Sequence, residues 1–529
     1  MNTKKSKTLA LLLAASSLVF AQEDDFAAWG DSTDSQEGQQ SVTVSGSTKF
    51  QARAYPEASE TPLSEADSIY DMNKIPVTVK ASAHAGIAYT GTSSDAEIKL
   101  AFDKDILENH PESVLDEMNV RGYLGNLTVE AGKMKIVWGK GDKLHVIDNF
   151  NADDYTDFII PDYIDRRLAV PMMRAVYNIP GTNTSVEAVW TPWTEPDRFA
   201  SDGIWTPAAY KKLYKTVKSV QEKKVAASFK KYTELTSGVG ALSSLAALKQ
   251  TEAATETPGK ATAAYNAALA NLGCASLDKA KAKLEQAGKE YTNALLTAST
   301  VTQESLLPDT HTLRYSQFGA RVTGTVGTVD LGASWYYGHF KQPSANLQNT
   351  NSEMPELAYD QKQTFGLEAA TVLWKLNLRG EAAYTLTEDT EGDDPWVHNN
   401  SVSWLAGFDM DIGLNNININ VQETGTLVLN GSKIDGSTDV DYNPAGHTNN
   451  KLVVNITDSW MNEKICPEVT VMWGIERGDL VVQPKLAWKP DPALALTLSG
   501  MYIKCRDEDS EFYEWRNNSF VCLGVSAIF

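Results

Sequence analysis

Along most of this chain, apolar and polar side chains alternate residue by residue. That pattern restricts what it can fold into more than any motif does. Successive side chains of a β-strand point to opposite faces, so such segments carry one apolar and one polar surface. In Ile417-Asn418-Ile419-Asn420-Val421-Gln422 the alternation is strict. Leu376, Leu378, Ala382 and Tyr384 share one face, while Asn377, Arg379, Glu381 and Thr385 share the other. The split recurs at 77–89 (Lys80, Ser82, His84), at 96–102 (Glu97, Lys99) and at 402–412 (Ser403, Asp409, Asp411).

A water-soluble sandwich alternates too. Segments of about ten residues, with aromatics near their ends, match a tilted membrane strand and its interfacial girdle instead. The girdle candidates are Tyr55, Tyr89, Trp190, Tyr337, Trp404, Trp473, Trp488 and Tyr502. Candidate strands fall near 41–55, 77–91, 95–104, 118–125, 127–138, 170–179, 183–192, 312–325 and 327–341. They continue near 361–373, 375–387, 400–412, 414–429, 451–459, 464–475, 479–489, 493–504 and 517–529. The expected fold is therefore all-β: a transmembrane antiparallel β-barrel of about 18 strands, with 16 as the alternative. Short turns (Thr92-Ser93-Ser94, Pro180-Gly181-Thr182, 324–327, Trp374-Lys375, Gly413-Leu414, Pro490-Asp491-Pro492) alternate with long polar connections. Pro484 is an awkward residue inside a strand, because it cannot donate to the ladder.

The ends of the chain agree with this reading. Lys4, Lys5 and Lys7 precede the apolar run 9–20, and Val19-Phe20-Ala21 suits signal peptidase, so 1–21 reads as a secretory leader. Residues 22–40 then form a periplasmic segment and 41–529 the barrel in a bacterial outer membrane. The last strand ends on Phe529, the terminal aromatic expected to address the chain to the barrel assembly machinery. With Phe529 in the periplasm, every long loop faces the cell surface.

One stretch breaks the alternation. Between 207 and 304 the chain is rich in Ala, Lys and Leu. Leu213, Val217 and Val220 recur at helical spacing, as do Leu277, Ala280, Leu284, Ala287 and Tyr291. A helical hairpin or small bundle is expected in one extracellular loop, broken at Pro258-Gly259 and at Gly238-Val239-Gly240. The charge balance sets it apart. The chain carries −21, or −24 without the leader, yet 207–304 holds 14 Lys against 8 acids, leaving about −30 for the rest. A basic module could dock on an acidic mouth and cap or gate it. So acidic a chain is not expected to bind nucleic acid.

A barrel of this size leaves an aqueous channel unless it is plugged. The pore-lining candidates are mixed in sign: Lys49, Arg53, Lys80, Arg121, Arg174, Arg321, Arg379 and Lys485 against Glu97, Glu130, Glu187, Glu368 and Glu381. Opposed charges would order water and discriminate among small polar solutes. The constriction candidate is the loop 139–170, with Asp142, Asp148, Asp153, Asp154, Asp157, Arg166 and Arg167, whose acids and bases could face each other across the pore.

The run Glu130-Ala131-Gly132-Lys133-Met134-Lys135-Ile136-Val137-Trp138-Gly139-Lys140-Gly141-Asp142, followed by Asp148 and Pro171-Met172-Met173, resembles a segment of alginate-export-type and related substrate-specific porins. The resemblance covers about 129–190. It implies an 18-strand, monomeric barrel passing solutes or polysaccharide; the helical insert departs from that pattern and leaves the substrate open.

No Gly-x-Ser-x-Gly elbow, phosphate loop, His-Glu-x-x-His or Cys-x-x-Cys occurs, so neither catalysis nor a cofactor is expected. Asp439-Val440-Asp441-Tyr442-Asn443 begins like a calcium loop but lacks its Gly and its twelfth ligand, and no metal site is expected there. Cys274, Cys466, Cys505 and Cys522 form no disulfide framework, with Cys522 opposite residues near Ser499. The reading is a porin in contact with outer-membrane lipid and small solutes, its oligomeric state not legible. The alternative is a surface adhesin that binds an external partner through the insert and the acidic loops.

Overall fold

The period-two alternation becomes the two faces of a single closed sheet. The structure, a computed structural model, describes residues 40–57, 68–72, 75–201, 203–252, 259–301, 305, 307–346, 356–434, 436 and 439–529. The expected leader and nearly all of 22–40 lie outside the described residues.

Eighteen barrel strands run β1 (Ser41–Ala54), β2 (Ile75–Thr90), β3 (Ser94–Asp103), β4 (Leu115–Leu124), β5 (Leu127–Met134) and β6 (Val170–Asn178). They continue β7 (Thr184–Thr191), β8 (Gln317–Val326), β9 (Val329–His339), β10 (Gln361–Leu373), β11 (Leu376–Thr387) and β12 (Ser401–Asp411). The last six are β13 (Asn418–Val428), β14 (Thr448–Thr457), β15 (Ile465–Gly474), β16 (Leu480–Asp491), β17 (Leu494–Lys504) and β18 (Phe520–Ile528). Each pairs antiparallel with its chain neighbours, and β1 joins β18 from Ser47↔Ile528 to Ala54↔Val521, so no edge remains open. Closure matters because an unpaired strand edge has no hydrogen-bond partner in lipid.

Phe529 completes the seam. Its amide donates to the Gly46 carbonyl at 2.8 Å, and the Gly46 amide donates to its carbonyl at 2.7 Å. A Cβ at Gly46 would lie 2.4 Å from the Phe529 ring, so glycine is what admits the terminal aromatic.

The outward face is apolar: Val42, Val44, Phe50, Ile87, Val120, Phe318, Leu367, Trp488, Leu498 and Leu523 are all exposed. Tyr55 does not belong to it. It shares a face with Arg53, two residues earlier, and is buried inside against Phe520 and Trp205 rather than standing in the girdle. Several strand ends shift by a few residues: β8 starts at Gln317 after a short helical turn over Leu313–Tyr315, and β5 ends at Met134. Pro484 stays within β16, and the β16–β17 ladder skips it, passing from Val482↔Tyr502 to Lys485↔Ser499. Cys522 faces Ser499 and all four cysteines are free thiols.

The chain divides into two compact units, the barrel and the insert. The insert has three helices: α1 (Ala208–Glu252), α2 (Lys260–Asn271) and α3 (Leu277–Ser299). Gly238-Val239-Gly240 does not break α1, contrary to expectation. A Cβ at Gly238 would meet Leu272 Cδ2 at 2.6 Å, so the glycine serves close packing while the helix runs on. Leu242, Val239, Leu269 and Ala280 form the small core. Ser276 caps α3 by accepting from the Lys279 amide.

Candidate functional site

The inner face carries a chain of ion pairs that runs from strand to strand. Register sets it up: Arg121 lies opposite Glu130, and Glu130 opposite Arg174. Arg121 pairs with Glu130; Arg174 reaches Glu130 at 2.9 Å and Glu187 at 2.6 Å. Arg321 then contacts Glu187 at 3.8 Å and Glu368 at 2.6 Å. That last contact crosses β9 entirely, and Gly332 makes it possible: a Cβ there would lie 2.4 Å from Glu368 Oε1. Alternating sign keeps Glu130 and Glu187 each between two arginines, which offsets their desolvation.

The remaining expected wall residues fall into smaller groups. Lys80 bridges Asp103 and Asp157, both at 3.5 Å. Lys99 lies between Glu97 (3.2 Å) and Glu117 (3.1 Å). Arg379 pairs with Asp409, and Lys485 with Glu468 at 3.2 Å. Lys49 sits opposite Ser526 and Ser82 and is exposed.

Against this wall lies the loop 135–169. Trp138 donates from its indole to Glu187 at 3.1 Å and meets the Phe150 ring edge-on at 5.1 Å, while Phe150 meets Tyr336 at 5.2 Å. Glycines make room for them. A Cβ at Gly319 would strike Phe150 at 2.6 Å and Trp138 at 2.7 Å, and one at Gly366 would strike Ile147. Glu381 gathers the next turn, accepting from the amides of Lys140 (2.8 Å), Gly141 (2.7 Å) and Val146 (2.8 Å), with His145 Nδ1 at 3.0 Å. Asn420 donates to Asp142 at 2.6 Å, and Lys143 approaches Glu468 at 3.4 Å. Further along, Asp157 receives Arg53 at 2.8 Å. Phe158 stacks on Trp205 at 4.9 Å within a cluster that includes Tyr55, Val481, Met501 and Phe520.

These anchors belong to β1, β2, β7, β8, β9, β10, β11, β13, β15, β16, β17 and β18, and they are inner-face residues. A segment that touches the inside of a closed sheet on so many sides lies within its bore. The segments 192–201 and 203–207 join it, with Arg198–Phe199 pairing in parallel with Asp154–Tyr155 and Asn518 donating to the Ile204 carbonyl at 2.9 Å.

The loop's own acids and bases do not face each other across open space. Arg167 pairs with Asp148 at 3.0 Å and Arg166 approaches Asp153 at 3.7 Å, both inside the loop, because the chain turns back on itself through Asn151. Asn151 accepts from the Ile136 amide and donates to the carbonyls of Met134 and Leu168. Asp154 takes Arg198 at 3.4 Å, and Asp142 is left with Arg379 at 4.0 Å. Burial alone would push the Asp157 carboxyl up; Arg53 and Lys80 reverse this and hold it at about 2. Burial raises Asp153, and Arg167 and Arg166 offset only part of that.

Charge counting overlooked the neutral anchors Trp138, Phe150, Phe158 and Tyr336. The sequence signal for Trp138 and Phe150 was the glycine at inner-face position 319.

The solved channel DcaP of Acinetobacter baumannii is similar to this chain at 10% identity, covering 94% of this chain and 99% of its own, with a TM-score of 0.38. A BenF-like porin from Pseudomonas fluorescens Pf-5 is similar at 7% identity, covering 93% and 98%, with a TM-score of 0.41. A mutant of the Rh. blastica porin is similar at 10% identity, covering 92% and 100%, with a TM-score of 0.35. Likeness at this level assigns no activity. No curated protein matches the chain. A family model matches residues 90–403, more than half of the sequence, and the chain belongs to that family, described as "Protein of unknown function (DUF1302)".

Proposed function

We propose that this protein is an integral outer-membrane channel for small polar or charged solutes, sugars or polysaccharide among them, and that the loop 135–169 is its constriction. One observation carries the reading. An apolar-faced closed barrel holds inside it a loop fixed by charged and amide side chains of its own inner wall. A bore lined and narrowed in this way passes hydrated solutes and selects among them by charge and size. The ion pairs from Arg121 to Glu368 would set the field on one side of the path, and Lys49, Lys80 and Lys485 would act on another. Phe529 would serve as the signal to the assembly machinery.

The helical insert joins the end of β7 to the start of β8, and we include in the proposal that it regulates passage. The experiment is single-channel recording of the refolded protein in a planar bilayer, repeated with 207–304 replaced by a short Gly-Ser linker. Steady openings establish the channel, and larger openings after replacement give the insert its gating role. Silence from both forms, with the barrel folded, rejects the reading.

A further inference from the structure

Arg53, Arg121, Arg174, Arg321, Arg379 and Lys80 each meet a carboxylate. Among the described residues, Lys341 and Lys362 do not. Lys341 Nζ donates to Gln317 Oε1 at 2.6 Å and to the Phe150 carbonyl at 3.1 Å; Lys362 Nζ donates to Asn149 Oδ1 at 2.7 Å. Two ammonium groups thus converge on consecutive loop residues, Asn149 and Phe150, and have only neutral oxygens as partners. Lys362 also stands over the Phe340 ring at 4.8 Å and the Tyr336 ring at 5.8 Å. Two residues on from Lys362, on the same inner face and opposite Tyr336, is Thr364. It is 3% exposed, and its hydroxyl has no hydrogen-bond partner.

A buried polar group is normally satisfied, and like charges held together with no described carboxylate within ion-pair distance are costly. An anion would answer both. Both lysines are half-buried and so keep a solvent-facing side. We propose that Lys341 and Lys362, with the Thr364 hydroxyl, form an anion-binding site on the inner wall that takes the carboxylate or phosphate group of a solute. The site rests on the channel reading for its purpose but not for its detection.

The electrostatics agree. Burial, with Lys362 and Arg167 nearby and Asp197 and Glu195 only partly opposing them, pulls the Lys341 amine down to about 7. An anion restores its charge, so affinity should fall as pH rises through that value.

The test is calorimetric titration of the full-length protein in detergent with sodium phosphate and, separately, sodium acetate, against sodium chloride at matched ionic strength. The wild type should bind phosphate, acetate or both beyond the chloride control. The two arms tell which group is preferred. The double variant Lys341→Gln/Lys362→Gln should weaken binding by about tenfold or more, since charge-assisted bonds are lost. Lys341→Arg/Lys362→Arg should retain most of it. Wild-type heats equal to chloride, or unchanged binding in a folded double variant, overturn the site. Should the glutamine pair fail to fold, Thr364→Val carries the test, with a several-fold loss expected and no loss counting against the site. Binding without conductance rejects the channel and keeps the site; conductance without binding does the reverse.

Discussion

Glycines on the inner wall decide what may cross it, and the cost of filling each one depends on the neighbour. At Gly332 an added methyl meets the Glu368 side chain, which is buried and paired with Arg321; at Gly319 it meets the Phe150 and Trp138 rings, which are locked among other residues. Gly319→Ala and Gly332→Ala should therefore both destabilise the barrel, by about 2–3 kcal/mol each. Urea titration in detergent micelles would show this, and a wild-type midpoint in either variant would contradict it. Gly139 carries a second constraint, a φ of +122°, with Glu381 Oε1 only 2.3 Å from its would-be Cβ.

Asp157 sets the loop's acid limit. Its carboxyl is held at about 2, below the 3.8 of an unperturbed carboxyl, so its stabilising contribution is complete above about pH 4 and is lost as pH falls toward 2. Protease protection of the loop should then be flat from about pH 8 to about pH 4 and fall below that. Asp157→Asn should cost about 3–5 kcal/mol, because Arg53, 5% exposed, is left with an uncompensated charge.

Among elements, the loop 135–169 owes its position to a few wall residues. Glu381 supplies the largest cluster of bonds to it, three backbone amides and His145. Glu381→Ala should free the turn 140–146 without unfolding the sheet. Single-channel current would then become larger and noisier, while the heat-modifiable mobility of the barrel stays normal. Unchanged current would remove the loop from the role of constriction. The insert is held differently: α1 and α3 pack through Val239, Leu242 and Ala280, and Lys231 pairs with Glu290 at 2.8 Å. An exposed pair of that kind contributes little, so the apolar contacts hold the helices together.

At the scale of the molecule, the barrel and the insert are separate compact units. Replacing 207–304 by a linker should leave the barrel's stability to urea within about 1 kcal/mol of the full chain, because the closed ladder and its core clusters lie within one compact unit. A barrel that no longer folds would show that the insert contributes to its stability.

The sequence by itself determined a closed antiparallel barrel of about eighteen strands and the approximate position of each strand. Period-two patterning is local, and a lipid-facing sheet tolerates no error in it. Tyr55 escaped because an aromatic at a strand end suits either face, and only its register with Arg53 decides. Gly238 to Gly240 escaped because glycine marks a break or a close contact, and only Leu272 settles which. What tertiary structure alone decided was partnership. Residues as distant as Trp138 and Glu187, Asn420 and Asp142, or Lys341 and Phe150 meet because a closed sheet brings its inner face around one loop. That convergence depends on curvature and register summed over eighteen strands, which no local pattern encodes.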